Sequence, residues 1–184
     1  MDNCDIEGIR ANFPQKAKLP KKCTELAQWL DLNIDTTQDY FPEIQADDLE
    51  GWADIDISPY FGTFMHLGDG SVVAYWFYDG VDIKNPPIVV ITSDGDIGVA
   101  ANSIEEFLAR IIEDCFPDDI WVDYLGDLLS YADGTWIEDL RKWVEEKWSL
   151  NSGKREELTS ANPELGHPDI QEWIKPFIDQ PTYF

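Results

Sequence analysis

The first periodic stretch of the chain spaces Cys23, Leu26, Trp29 and Leu30 three and four residues apart. That spacing puts them on one side of a helix over about residues 22–32. A short helical turn is expected over 47–52. The period then changes to that of strands. Tyr60 to Leu67 and Ser71 to Tyr78 are rich in aromatic and β-branched residues, with Gly68-Asp69-Gly70 between them. Glycine supplies the positive φ of a tight turn, so the pair reads as a hairpin. In the second run Val73, Tyr75 and Phe77 alternate with Val72, Ala74, Trp76 and Tyr78. Apolar side chains on both faces predict a central strand. Lys84-Asn85-Pro86-Pro87 leads to a third strand, Ile88 to Thr92, and Ser93-Asp94-Gly95-Asp96 turns the chain into a fourth, Ile97 to Ala101. Short turns between successive strands predict an antiparallel meander.

Helical patterns follow. Ser103 and Glu106 form a capping box ahead of Ile104, Phe107, Leu108, Ile111 and Ile112 on one face. Asp118 heads a second helix carrying Ile120, Trp121, Tyr124, Leu125 and Leu128. Thr135 and Glu138 form another capping box before Ile137, Leu140, Val144 and Trp148, and Asn151-Ser152-Gly153 is expected to stop that helix. Residues 151–168 are polar and contain Asn162-Pro163 and His167-Pro168, which predicts a linker. Asp169 then caps a last amphipathic stretch with Ile170, Trp173, Ile174 and Phe177. The expected fold is α+β: an antiparallel meander of four or more strands, flanked by helices, with a helical C-terminal extension. The expected organisation is a domain over 1–150 (core about 20–115, helical extension 116–150), a linker over 151–168, and a short C-terminal helix within 169–184 packed on the domain.

Charge changes this picture more than length does. The 184 residues hold 37 Asp+Glu against 13 Lys+Arg, a formal charge of −24, yet 43% are hydrophobic and eight are tryptophan. Such a chain can bury a core and is not expected to be disordered. The acidity is concentrated: residues 41–140 hold 22 acids and two bases, Lys84 and Arg110. A field of that sign repels phosphates and anionic lipid, and it steers a basic partner. A solvated acidic surface serving only solubility is the competing reading. No apolar run reaches the roughly 18–20 residues of a membrane span, and Met1-Asp2-Asn3-Cys4-Asp5 lacks the features of a secretory leader, so a cytoplasmic location is expected. Cys4, Cys23 and Cys115 are odd in number with no CxxC pair, which predicts free thiols.

No constellation in the chain argues for an enzyme, and neither catalytic residues, metal nor cofactor are expected. The close pairs Asp54/Asp56, Asp94/Asp96 and Asp118/Asp119 arise readily from an acidic composition. Asp94, Asp96 and Glu105 match positions 1, 3 and 12 of a calcium loop, but position 6 is Val99 where glycine is needed. His66 and His167 stand in no zinc-ligand spacing, and Ser71 lacks a nucleophile elbow. The aromatic run Tyr75-Trp76-Phe77-Tyr78, near Tyr60, Phe61 and Phe64, reads as core on one face. On the other face it could supply interface anchors ringed by carboxylates.

Several of these segments resemble the SMI1/KNR4 family, the core of the SUKH superfamily. The resemblance lies in Gly68-Asp69-Gly70-Ser71, Ala74-Tyr75-Trp76, Pro87-Ile88-Val89-Val90, Ser93-Asp94-Gly95-Asp96, and Ala100-Ala101-Asn102-Ser103 leading into Phe107-Leu108. Trp29-Leu30 and Tyr60-Phe61-Gly62 fall in the same order upstream. It covers about residues 20–115; Val72-Val73 stand where several members have glycines, and Asp94 where glutamate is common. The resemblance implies a bacterial immunity protein (antitoxin) that binds and neutralises a cognate polymorphic toxin, often a nuclease, with no cofactor. The charge independently favours a basic partner. Candidate partner-binding residues are Asp69, Trp76, Tyr78, Asp79, Asp82, Asp94 and Asp96. The expected partner is a basic toxin domain, with no nucleic acid or membrane, and the chain itself a monomer or weak homodimer. The alternative is a non-enzymatic regulatory scaffold or adaptor of the SMI1 type.

Overall fold

The computed structural model of the chain describes residues 6–15, 17–33, 57–66, 70–80, 84–115, 135–163 and 165–178. Among them β1 (Phe61–His66), β2 (Val72–Trp76), β3 (Ile88–Ile91) and β4 (Ile97–Ala101) form one antiparallel sheet in the order β1-β2-β3-β4. The meander expected from the turns is present, and β2 is central: Val72 faces His66 on one side and Ile91 on the other. Two bulges interrupt the ladders. Thr63 faces Ala74 while Met65 faces Val73, and Ile88 faces Ala101 while Val89 faces Val99. Phe64 and Ala100 are therefore extra residues. Each bulge sends two consecutive side chains, Phe64 with Met65 and Ala100 with Ala101, into the same core.

Both faces of the sheet are covered, which is why β3 reads as an unbroken apolar run. The inner face packs on α1 (Ile6–Ala11), α2 (Lys21–Leu32), α3 (Ile104–Glu113) and α4 (Thr135–Trp148). There Val73, Tyr75, Ile88 and Val90 meet Ile9, Leu26, Phe107, Leu108, Trp136 and Leu140. Each aliphatic side chain so buried contributes roughly 1.5–3 kcal/mol. The outer face packs on α6 (Ile170–Ile178), whose Ile170 and Ile174 meet Ala74, Trp76, Val89, Ile91 and Val99. Asp169 caps α6 by accepting from the Gln171 and Glu172 amides (2.9 and 3.1 Å), and the Gln171 side chain donates to the Ile97 carbonyl on the edge strand. The layers are helix, sheet, helix.

The segment expected as a linker is a correction: it contains α5 (Ser152–Thr159), capped by the Asn151 side chain, which accepts from the Lys154 amide at 3.1 Å. Its sequence hides the helix because no apolar stripe holds it. A buried guanidinium does so instead. Arg155 donates to Glu113 of α3 (2.6 Å), to Glu145 of α4 (2.7 Å) and to the Leu150 carbonyl (2.8 Å). A second buried arginine works from the other side. Arg110 binds Glu106 (Nε 3.0 Å, Nη2 2.6 Å), the Cys115 carbonyl (3.1 Å) and the Ala161 carbonyl just past α5 (2.6 Å).

The capping box of α3 forms with a shift. Ser103 Oγ accepts from the Glu106 amide at 3.1 Å, as expected. The Glu106 carboxylate, however, accepts from the amide and side chain of Asn102 (3.0 and 3.2 Å), one residue earlier than the usual partner. It is drawn inward by Arg110 four residues on. Between α2 and α4, the Trp148 indole donates to Glu25 at 2.8 Å, with Lys21 and Lys147 at 3.3 and 3.8 Å. That indole bond above all, with the two ammonium groups, holds the Glu25 carboxyl below its ordinary range. The helix expected after Pro117, the turn at 47–52 and the residues Gly68 and Asp69 lie outside the described residues. Among the described residues no helix is long and apolar enough to cross a membrane.

Candidate interaction surface

Antiparallel pairing decides where the candidate residues go. Since Val72 faces Ile91, the turns before β2 and after β3 share one end of the sheet. There the Ser93 amide donates to Ser71 Oγ at 3.2 Å, the Asp96 amide donates to Thr92 Oγ1 at 2.9 Å, and the Thr92 amide donates to the Asp96 carbonyl at 2.8 Å. Gly95 takes φ 94°, which an L side chain would resist. The turn is thus fixed, and it holds Asp94 and Asp96 exposed to solvent. The calcium-loop match dissolves here. Val99 is paired within β4, and Glu105 is ion-paired to Lys22 on α2.

Tyr78 and Asp79 emerge at the opposite end, past β2, in a turn closed by the Gly80 amide on the Phe77 carbonyl (2.9 Å). The length of β2, about 13 Å at ~3.3 Å per step, separates the two ends. The candidate residues therefore form two groups and not one cluster, while Asp69 and Asp82 lie outside the described residues. Trp76 belongs to neither group. It is 0% exposed between the sheet and α6, ringed by Tyr78 (5.0 Å), Trp173 (5.2 Å) and His167 (5.6 Å). As an anchor it is corrected to a core residue: a side chain with no exposed surface cannot be the first to touch a partner. Its Nε1 has no hydrogen-bond partner among the described residues.

The partly exposed aromatics lie near it. Tyr60, Tyr78, Trp173 and Phe177 are each partly accessible. Tyr60 meets Trp173 at 5.1 Å and Phe177 at 5.3 Å, and Trp173 meets Phe177 at 4.9 Å. Trp173 and Phe177 carried a sequence signal only as the apolar stripe of a helix. Their place beside Tyr60 comes from α6 folding back over the sheet.

Charge is distributed unevenly between the layers. On the helices, Glu105 pairs with Lys22, Glu106 with Arg110, Glu113 with Arg155, Glu138 with Arg141 and Asp139 with Lys142. At the ends of the sheet, Asp79 and Asp96 stand in no ion pair among the described residues. Of the two bases in the acidic block, Arg110 is buried and Lys84 is exposed. Asp79 and Asp96 therefore carry unmatched negative charge, while the described helices largely balance their own.

The remaining candidates for chemistry have structural roles. Both ring nitrogens of His167 contact carbonyl oxygens, Pro163 at 2.6 Å and Pro168 at 2.8 Å, which pins the loop entering α6. Cys23 is buried, and burial pushes the Cys115 thiol up, away from the reactive thiolate form. Among the described residues no group of three or more His, Cys, Asp or Glu side chains is placed to hold a metal ion. Comparisons of the chain with protein-family models, with curated proteins and with solved structures find no match.

Proposed function

We propose that this chain is an immunity protein: it binds a cognate toxin one-to-one in the cytoplasm and blocks it, without catalysis or a cofactor. The toxin is a cationic nuclease domain, and the block is occlusion of its active site by an acidic surface. One observation carries the reading: most carboxylates on the helices are matched by the chain's own bases, whereas Asp79 and Asp96 at the sheet turns stand in no ion pair among the described residues. An unmatched carboxylate on a fixed turn, as Asp96 is, competes with phosphate for a basic groove and does so without reorganising on contact. The family-like motifs give further support, since Ala74-Tyr75-Trp76 lies in β2, Ile88-Val89-Val90 in β3 and Phe107-Leu108 in α3.

The test is co-expression with the product of the adjacent reading frame. The reading expects that product to arrest growth alone, to be tolerated with this chain, and to co-purify with it in equal amounts. Charge reversal of Asp94 and Asp96 should slow association more than it speeds dissociation, as for steering residues. An adjacent product that is harmless, or a toxic one neither neutralised nor captured, removes the proposal.

A further inference from the structure

We infer that the sheet end bearing Tyr78 and Asp79 is an arginine-reading surface, which takes a guanidinium from a basic protein segment between partly exposed aromatic rings and an exposed carboxylate. The inference rests on the proposed function only for the identity of the partner. Tyr78 and Trp173 meet the buried Trp76 at 5.0 and 5.2 Å, and Tyr60 and Phe177 join the group through Trp173 at 5.1 and 4.9 Å. Trp173 and Phe177 lie at 35° to one another, and the other pairs are steeper. Tyr60 stands at 79° to Trp173 and 66° to Phe177, and Tyr78 at 59° to Trp76. In an edge-to-face pair one ring lends a face and the other only its edge, and all four rings keep part of their surface open to solvent, where a cation can reach them.

The charge next to Tyr78 in the chain selects the occupant. Asp79 follows Tyr78 directly, is exposed, and stands in no ion pair among the described residues. The charges on α6 are already satisfied: Glu172 pairs with Lys175, and Asp169 accepts the two amides at the helix start. An apolar segment would leave the Asp79 carboxylate desolvated without a partner, which is costly. A lysine ammonium would pair with it, but that compact ion is strongly hydrated and presents no plane to a ring. A guanidinium does both, stacking on an aromatic face while donating a pair of hydrogen bonds to a carboxylate. Trp76 itself takes no part in the contact, because it is fully buried.

The experiment titrates the full chain at low salt with hexa-arginine and, separately, hexa-lysine, and follows tryptophan fluorescence. The surface predicts that hexa-arginine binds roughly two- to five-fold tighter, the range a single cation–π contact supplies. Asp79→Lys should weaken hexa-arginine binding, and Tyr78→Leu should abolish the preference over lysine. Asp79 is exposed, so its variant keeps the test valid if Tyr78→Leu unfolds the chain. Equal affinity for the two peptides, or a preference unchanged in both variants, overturns the inference. The two readings separate with the toxin itself: capture that is indifferent to both substitutions refutes this surface and leaves the immunity reading standing. No capture, with a peptide preference that follows Tyr78 and Asp79, does the reverse.

Discussion

Replacing Arg110 with methionine tests the idea that buried charge, and not apolar packing, fastens the C-terminal third to the domain. The Arg110 and Glu106 side chains are 4% and 3% exposed, so neither can turn to water once its partner is gone. The substitution keeps the apolar stem and deletes four donations: two to Glu106, one to the Cys115 carbonyl and one to the Ala161 carbonyl. Glu106 keeps its bonds from Asn102, which soften the loss without neutralising the charge. Breaking such a pair typically costs about 3–5 kcal/mol, a large part of the ~5–15 kcal/mol that holds a domain together. At about 2–4 °C per kcal/mol for a chain of this size, the Tm should fall by roughly 6–20 °C. Urea unfolding followed by tryptophan fluorescence would give the free energy, and the slope m should not change. Adding Glu106→Gln removes the stranded charge, so the double variant should lose less than the sum of the two single losses, by about 0.5–3 kcal/mol. Hydrogen exchange should accelerate first in α5, whose following Ala161 carbonyl Arg110 grips. A loss under about 1 kcal/mol for Arg110→Met, or strict additivity in the pair, would refute the reasoning.

Two further substitutions probe the core and the acid limb of stability. A Cβ at Gly62 would lie 2.9 Å from Phe13 Cδ1, and Phe13 is itself packed on Tyr75 and Phe77; Gly62→Ala should cost about 1–3 kcal/mol by thermal denaturation, and a neutral result would show that the Phe13 ring gives way freely. Glu25 titrates below its ordinary value of 4.5 in the folded chain, chiefly through the Trp148 indole. A group depressed on folding stabilises above its unfolded pKa, and that contribution disappears as pH falls through the folded one. Trp148→Phe should therefore be less stable than the parent by a margin that shrinks between pH 7 and pH 3 in urea titrations; a margin constant with pH would assign the loss to packing.

Much of the sheet was legible because its signals are local. Glycine-bearing turns and β-branched runs depend on a few adjacent residues, and so does the Ser103 cap. The bulges at Phe64 and Ala100 were not legible, since an extra residue on one strand exists only relative to its partner. Helix α5 escaped for a different reason. A search for apolar stripes finds helices that bury hydrocarbon, and α5 instead buries Arg155, whose carboxylate partners lie on two other helices. The surface divided along the same line. That Asp94 and Asp96 sit on an exposed turn follows from the turn residues themselves. The ring of Tyr60, Trp173 and Phe177 required a helix far along the chain to return to the start of β1, which no local pattern announces.

The cover on the outer face of the sheet has a consequence for how the chain is made. Strand β4 ends at Ala101, and the helix that hides Ala74, Trp76, Val89 and Val99 begins at Ile170. Residues 102–169 must be synthesised in between. At about 5–20 residues per second that takes on the order of 3–14 s, during which a finished sheet would have one oily side open to its surroundings. Either the strands wait, held apart until their lid emerges, or the half-built domain spends those seconds as a client for whatever binds exposed hydrocarbon. Trimming or tagging the chain near α6 therefore acts first on yield, before any effect on the finished molecule.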